Sequence, residues 1–133
     1  MNVIEAEKTK IKSFTDLKVW QEGHKLVILV YQITKKFPRE EMFSLVDQMR
    51  RSVSSITSNI AEGFGRQGYK EKIQFYYISQ GSLTELKNQI LIAKDVDYLD
   101  INDFKKLAEQ ANITHRLLQG FITKSKTFLN HKS

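Results

Sequence analysis

The chain has 133 residues, of which 41% are hydrophobic and 27% charged, and its net charge at pH 7 is +6. This length and composition are typical of one globular domain with its own core, and the absence of cysteine excludes disulfides, thiolate catalysis and cysteine-based zinc sites. No apolar run is long enough to span a membrane, and residues 1–8 lack the apolar segment of a signal peptide. We therefore expect a cytoplasmic protein with no membrane partner.

The N-terminal part predicts an arm followed by a helix. Residues 1–13 show no apolar periodicity and are predicted to form a flexible arm. The first helix is expected to begin near Thr15 and Asp16, because either side chain can cap it. Trp20 is predicted to be a core anchor rather than a ligand platform. The helix must end near Phe37, because that residue precedes the only proline.

The second predicted helix, from Ser44 to about Glu62, has two contrasting faces. Ser44 and Asp47 form a weak capping box at its start. One face is apolar and carries Leu45, Met49, Val53, Ile56 and Ile60. The opposite face carries Arg51, Ser55, Ser58 and Glu62. Serine is a poor helix former, but it lets another helix approach closely, so we expect this helix to be packed on both sides.

The segment after this helix, residues 63–68, matches the letters of the dinucleotide-binding motif G-x-G-x-x-G. That motif requires a strand before the glycines and a helix that opens on them, whereas here a helix precedes them. The glycines are better interpreted as a helix stop and a tight link.

The third helix, from about Tyr69 to Val96, carries more apolar surface than one core needs. Its main apolar stripe is predicted to be Phe75, Ser79, Leu83, Leu86, Ile90 and Ala93. Further apolar residues, Ile73, Tyr77, Ile78, Leu91 and Ile92, spread over the remaining circumference. This surplus indicates contact with another chain. Gly81 and Ser82 in the middle permit a close helix contact or a bend.

The fourth helix is predicted to begin after an Asp100 cap and to run to about Phe128, with Arg116 on its outer face. The tail, residues 130–133, is expected to fray. Four long amphipathic segments with short links predict an all-α fold, an antiparallel up-down four-helix bundle over residues 14–129.

No catalytic or metal constellation is present in the sequence. His24, His115 and His131 lie far apart, and no Glu-x-x-His pair marks a di-iron bundle. The serines of the second helix have no base at a helical neighbour position. We therefore expect no enzyme activity, no metal and no cofactor.

Glu62 and Glu85 are the carboxylates most expected to be buried. They could form a paired-carboxylate acid–base site, but an ion pair with Arg51 or Arg66 is favoured, because buried charges are usually paired.

Several motifs then stand in the order and spacing of one protein family. They are Phe14-Thr15-Asp16-Leu17-Lys18-Val19-Trp20-Gln21, Phe37-Pro38-Arg39-Glu40-Glu41, Gln48-Met49-Arg50-Arg51, Ser58-Asn59-Ile60-Ala61-Glu62-Gly63, Arg66, and Gly81-Ser82-Leu83-Thr84-Glu85-Leu86. From about Phe14 to Phe128 the chain resembles the four-helix-bundle proteins known as the 23S rRNA intervening-sequence protein family. The most specific part of the resemblance is Asn59-Ile60-Ala61-Glu62-Gly63 after the arginine pair.

The resemblance implies a homopentamer, since bundles of this family associate into rings of five. Some members are encoded inside insertions in large-subunit ribosomal RNA genes, and no enzymatic activity goes with the family. The family is similar to the accessory protein of diversity-generating retroelements, a basic barrel-shaped pentamer that binds nucleic acid and a reverse transcriptase. A ring of five such chains would carry a charge of +30, which favours phosphates strongly.

Two hypotheses follow. The first is a non-catalytic oligomer that binds nucleic acid, either structured RNA or an RNA–protein complex, through backbone electrostatics. The second is a scaffolding module that binds a protein partner. Candidate nucleic-acid contacts are the loosely grouped cations Lys8, Lys10, Lys12, Lys35, Lys36 and Arg39. Candidate subunit-interface or buried polar residues are Arg51, Ser55, Ser58, Asn59, Glu62, Arg66, Tyr77, Gly81, Ser82 and Glu85.

Overall fold

Four α-helices make up most of residues 11–129, the part of the chain that the computed structural model describes. They are α1 (Lys18–Thr34), α2 (Leu45–Phe64), α3 (Tyr69–Asp95) and α4 (Ile101–Lys126), with 3-10 turns at Phe14–Asp16 and Arg39–Glu41. Helices α1 and α3 each pack against α2 and α4, while residues 11–129 contain no strand. The predicted antiparallel four-helix bundle is confirmed. Most of the predicted arm and the whole predicted tail lie outside the described residues.

The first helix begins later than predicted. Ser13 caps the 3-10 turn instead, where its Oγ accepts a hydrogen bond from Thr15 N at 3.2 Å and Asp16 Oδ2 accepts one from Ser13 N at 3.1 Å. Lys12 N also donates to Asp16 Oδ2, at 2.9 Å. The hydrogen bonds from Lys12 N and then from Ser13 N lower the pKa of Asp16. Thr15 and Asp16 are therefore not caps of α1, which begins at Lys18 after an extended Leu17.

The start of α2 also differs from the predicted capping box. Ser44 makes no side-chain cap bond, and its Oγ donates to Glu41 Oε1 at 3.0 Å. The same carboxylate oxygen accepts from Leu45 N at 3.3 Å. Glu41 therefore supplies the negative charge that the positive helix end favours, which explains why Asp47 is not needed for that purpose.

The predicted apolar face of α2 is confirmed, because Leu45, Met49, Val53, Ile56 and Ile60 are all buried. The predicted stripe of α3 needs one correction. Tyr76, not Phe75, enters the core and is 2% exposed, and Ile73 is buried rather than surplus.

Gly63 explains the burial of Tyr76. A Cβ at this position would lie 2.6 Å from Tyr76 Cε1 and 2.9 Å from Phe75 Cβ, so a side chain would collide with α3. Gly81 has open space around the corresponding point. Within the chain, the close helix contact that the sequence suggested at Gly81 is thus made at Gly63.

This contrast predicts opposite effects of the same substitution. Gly63→Ala should lower the free energy of unfolding by about 1–3 kcal/mol, because the added methyl overpacks the α2–α3 contact. Gly81→Ala should raise it by up to about 1 kcal/mol, since alanine favours a helix and meets no neighbour within the chain. Urea denaturation of both variants measures this. Equal effects would contradict the assigned contact.

Candidate functional site

The structure separates the two groups of candidate cations. Lys12 lies where α1 and α3 begin and α2 and α4 end, whereas Lys35, Lys36 and Arg39 follow α1 at the other end of the bundle. The 17 residues of α1 hold the two ends roughly 25 Å apart at the rise of an α-helix. Lys8 and Lys10 lie outside the described residues.

Lys36 forms an ion pair with a residue of α4. Its Nζ lies 3.0 Å from the buried Asp103 Oδ2, and this hydrogen bond raises the pKa of Lys36. Asp103 N in turn donates to Asp100 Oδ1 at 2.7 Å, which confirms Asp100 as the cap of α4. Lys36 therefore joins the end of α1 to the start of α4, although its side chain is 65% exposed. Lys35 and Arg39 are also exposed.

Charge is distributed unequally between the two ends. Residues 11–18, 62–72 and 116–129, which we call the basic end, hold eight basic and three acidic side chains, a net +5. The opposite end, residues 34–51 and 91–106, holds eight basic and seven acidic side chains, a net +1. The candidates Lys35 and Arg39 thus lie at an end where acidic side chains nearly balance the basic ones. Lys12 lies at the end with excess positive charge, to which α1, α3 and α4 all contribute cations.

An apolar depression of about 840 Å³ opens at the basic end; we call it the basin. Leu17, Phe64, Leu117 and Phe121 line it, and the cations Lys18, Lys72, Arg116 and Lys124 surround these apolar residues. This cluster is not visible in the sequence, because its members come from all four helices and only the up-down topology brings them together.

Lys72 is the most enclosed of these cations. Its Nζ donates to Phe64 O at 2.6 Å and lies 5.4 Å from the centre of the Phe64 ring. Burial lowers its pKa. The ammonium therefore satisfies a free carbonyl at the negative end of α2.

The predicted burial of Glu62 and Glu85 is wrong for the single chain. The Glu62 side chain is 57% exposed, although Arg66 pairs with it as expected, at 2.8 Å. Glu85 is also exposed and accepts a 2.7 Å hydrogen bond from Ser52 Oγ. Arg51 pairs with Asp47 at 2.9 Å and is 80% exposed. These i,i+4 pairs keep their charges on the outer surface of α2.

The serines of α2 do bring α3 close, along a line of hydroxyls. Ser55 Oγ lies 2.7 Å from Ser82 Oγ, and Asn59 Nδ2 donates to Ser55 O at 2.8 Å. Ser79 Oγ donates to Ile56 O at 2.7 Å. The remaining members of the predicted interface set, Ser58, Tyr77 and Gly81, are exposed, and their place in a subunit contact stays a prediction.

The buried carboxylate that the sequence analysis missed on α1 is Glu22. Lys25 Nζ lies 2.8 Å from its Oε2, an ion pair rather than a well-angled hydrogen bond. Gln110 Nε2 of α4 donates to the backbone Glu22 O at 2.9 Å and to the carboxylate Glu22 Oε1 at 3.3 Å. These contacts, first the one with Lys25, lower the pKa of Glu22 against the opposing effect of burial. The i,i+3 spacing between Glu22 and Lys25 was visible in the sequence, whereas the contact between Glu22 and Gln110, 88 positions apart, was not.

His24 and His115 form no site with each other, and His131 lies outside the described residues. His24 stacks on Trp20, with ring centroids 4.7 Å apart, and Trp20 packs against the core as predicted. His115 Nδ1 lies 3.0 Å from Lys87 Nζ. Across residues 11–129, no three histidine or carboxylate side chains come together in a way that could hold a metal ion.

His115 gives stability a specific pH dependence. Burial and then the charge of Lys87 lower its pKa below the usual value, which is about 6.5. As pH falls below that value, the unfolded chain binds a proton that the folded chain does not, so stability decreases. Between pH 7 and pH 5, urea denaturation should show a smaller loss for His115→Gln than for the wild type. A larger loss in the variant would contradict this assignment.

None of the helices between residues 11 and 129 is sufficiently long and apolar to cross a bilayer.

Comparison with known proteins identifies a protein family and a solved structure of similar fold. Residues 15–120 match the protein family described as 23S rRNA-intervening sequence protein. The crystal structure of a protein with unknown function from the S23 ribosomal protein family of Bacteroides thetaiotaomicron superposes with a TM-score of 0.73. That match covers 79% of this chain and 95% of the other, at 19% sequence identity, and so shows a shared fold. No curated protein matches the sequence.

Proposed function

The chain belongs to the 23S rRNA-intervening sequence protein family, and from that premise we propose that it is a non-catalytic, homopentameric protein that binds nucleic acid through its basic end. The ligand is structured RNA or an RNA–protein complex, held by contacts to the phosphate backbone.

The unequal charge of the two ends carries this proposal. A net charge spread evenly would serve solubility alone, whereas here the basic end has a net charge of +5 and the opposite end only +1. Arg116 and Lys124 have no ion-pair partner among residues 11–129. Free cations of this kind release counterions when they neutralise phosphates, which makes binding favourable and salt-dependent.

The exposed apolar surface of α3 supports assembly. Tyr77, Ile78, Leu91 and Ile92 are between 42% and 53% exposed in the single chain. Such a surface on a soluble protein is typical of an interface. It also favours the second candidate function, a scaffold whose partner is another protein.

The test of nucleic-acid binding compares two variants that carry the same change of net charge, one at each end of the bundle. Lys12, Lys70 and Lys124, exposed at the basic end, are replaced by Glu in one variant. Lys35, Arg39 and Lys105, exposed at the other end, are replaced in the matched control. Fluorescence titration of a labelled RNA hairpin at two salt concentrations should show at least tenfold weaker binding for the first variant and a smaller effect for the second. Affinity for unrelated sequences should fall equally, as expected of backbone contacts.

Two results would contradict the proposal. If the wild type binds no RNA or DNA even at low salt, the protein scaffold becomes the better account. If the control variant weakens binding as much as the basic-end variant, the unequal charge does not direct the ligand. Lys35 and Arg39 would then be nucleic-acid contacts, as the sequence predicts.

Light scattering tests the assembly. The wild type should show about five times the 15.5 kDa mass of the chain. Gly81→Leu should reduce this mass while circular dichroism shows the helices intact, because the added side chain meets nothing within its own chain. Gln119→Leu, exposed on α4, is the matched control and should remain assembled. A monomeric wild type would refute the assembly.

A further inference from the structure

The hydroxyl of Tyr76 opens on the basin. The residue is 2% exposed, and its hydroxyl makes no hydrogen bond to any residue between 11 and 129. The hydroxyl oxygen is not fully enclosed, so water or a ligand can reach it. Tyr76 and Tyr69 both line the basin. Burial, and after it the neighbouring Tyr69, raises the pKa of Tyr76. The hydroxyl therefore faces a space that a ligand can enter.

Three donors from α3 converge on this space. Tyr69, Lys72 and Tyr76 stand at positions i, i+3 and i+7, so they share one face of the helix. The Lys72 ammonium donates to Phe64 O at 2.6 Å and to Gly63 O at 3.5 Å, which leaves one of its three hydrogens for another acceptor. A cation next to a free hydroxyl is a donor pair that suits a carboxylate.

Helix α4 supplies an apolar path beside these donors. Leu117 and Phe121 line the basin, and a Cβ built on Gly120 meets nothing within 4 Å, so the helix leaves a gap at that residue. The unpaired cations Arg116 and Lys124 stand one turn before and one turn after Gly120. Their field attracts an anion to the entrance of the basin.

The volume of about 840 Å³ lies within the range of small-molecule sites, which are mostly apolar with a few convergent polar groups. We propose that the basin binds a free long-chain carboxylate, whose hydrocarbon chain covers Gly120, Leu117 and Phe121 and whose carboxylate accepts hydrogen bonds from Tyr76 and Lys72. Arg116 and Lys124 belong both to this site and to the proposed nucleic-acid surface, but carboxylate binding is measured without nucleic acid.

The test is calorimetric titration of the full chain with hexanoate, octanoate and decanoate below their micelle concentrations. Binding should be saturable at one ligand per chain, and each added methylene should tighten it roughly fourfold until the basin is filled. The neutral 1-decanol should bind at least about tenfold more weakly than decanoate, because it lacks the charge. Affinity that does not depend on chain length or on charge would overturn the proposal.

Three variants locate the site. Gly120→Leu fills the gap with a good helix former and should abolish decanoate binding. Gln119→Leu adds the same side chain outside the basin and should bind normally. Tyr76→Phe keeps the ring contact with Phe121 but removes the hydroxyl, so it should weaken binding at least about tenfold. Normal binding by Gly120→Leu would overturn the proposal.

Other occupants give different results. If the wild type does not bind decanoate but a Val3→Asp, Ile4→Asp variant does, the N-terminal segment of the chain itself fills the basin. If decanoate binds only when light scattering shows dissociated chains, a second copy fills it. If the protein sediments with anionic phospholipid vesicles and Gly120→Leu abolishes this, the ligand is a membrane surface. Each of these outcomes would overturn the proposal of a free carboxylate.

Discussion

The close approach of α2 and α3 is the constraint on which the rest of the structure depends. At one end Gly63 leaves room for Tyr76, and along the helix Ser79 bonds to the backbone of α2 and Ser55 to Ser82. Small residues on both helices make this possible, and larger ones would separate them. Because α3 turns Tyr76 inward, Tyr77 and Ile78 are left outside.

The same contact shapes the basic end. Tyr76 packs against Phe121 of α4, with ring centroids 4.7 Å apart, and this pair closes the inner side of the basin. The up-down topology then places the start of α3 beside the end of α4, so that Lys72 and Lys124 surround one opening although they lie far apart in sequence. Cations near helix C-termini are favourable, which explains why Lys124 and Lys126 stabilise α4 while they make this end positive.

Much of the fold could be predicted from the sequence, because helical periodicity is a local property. The spacing of Met49, Val53 and Ile56 gave the buried face of α2 correctly. The sequence predicted that Phe75 rather than Tyr76 enters the core, because the two aromatic residues are adjacent. Gly63 on the opposing helix makes the room that Tyr76 occupies. The helix starts were also misplaced, since Ser13 and Glu41 form caps outside the predicted segments.

The candidate site was less predictable, because it depends on contacts between distant residues. Lys36 and Asp103 are 67 positions apart, and nothing in the sequence showed that this candidate cation is committed to an ion pair. Glu62 and Glu85 were expected to be buried from the small residues around them, but one helix face can hold small residues and still meet solvent in the single chain. Clusters formed by four helices are visible only once the topology is fixed.

The outer groove between α2 and α3 shows what a single chain leaves unsatisfied. It encloses about 320 Å³ between Ser52, Ser55, Ser82, Glu85 and Gln89. Gln89 is buried, and its Oε1 accepts no hydrogen bond from any residue between 11 and 129, which is costly for a buried acceptor. In the proposed assembly, a neighbouring subunit placed over this groove would meet the side chains of Ser55, Ser82 and Glu85. The serines that allow α3 to approach α2 would then also form a polar strip beside the exposed apolar residues of α3, and polar groups next to an apolar core are the usual composition of a protein interface.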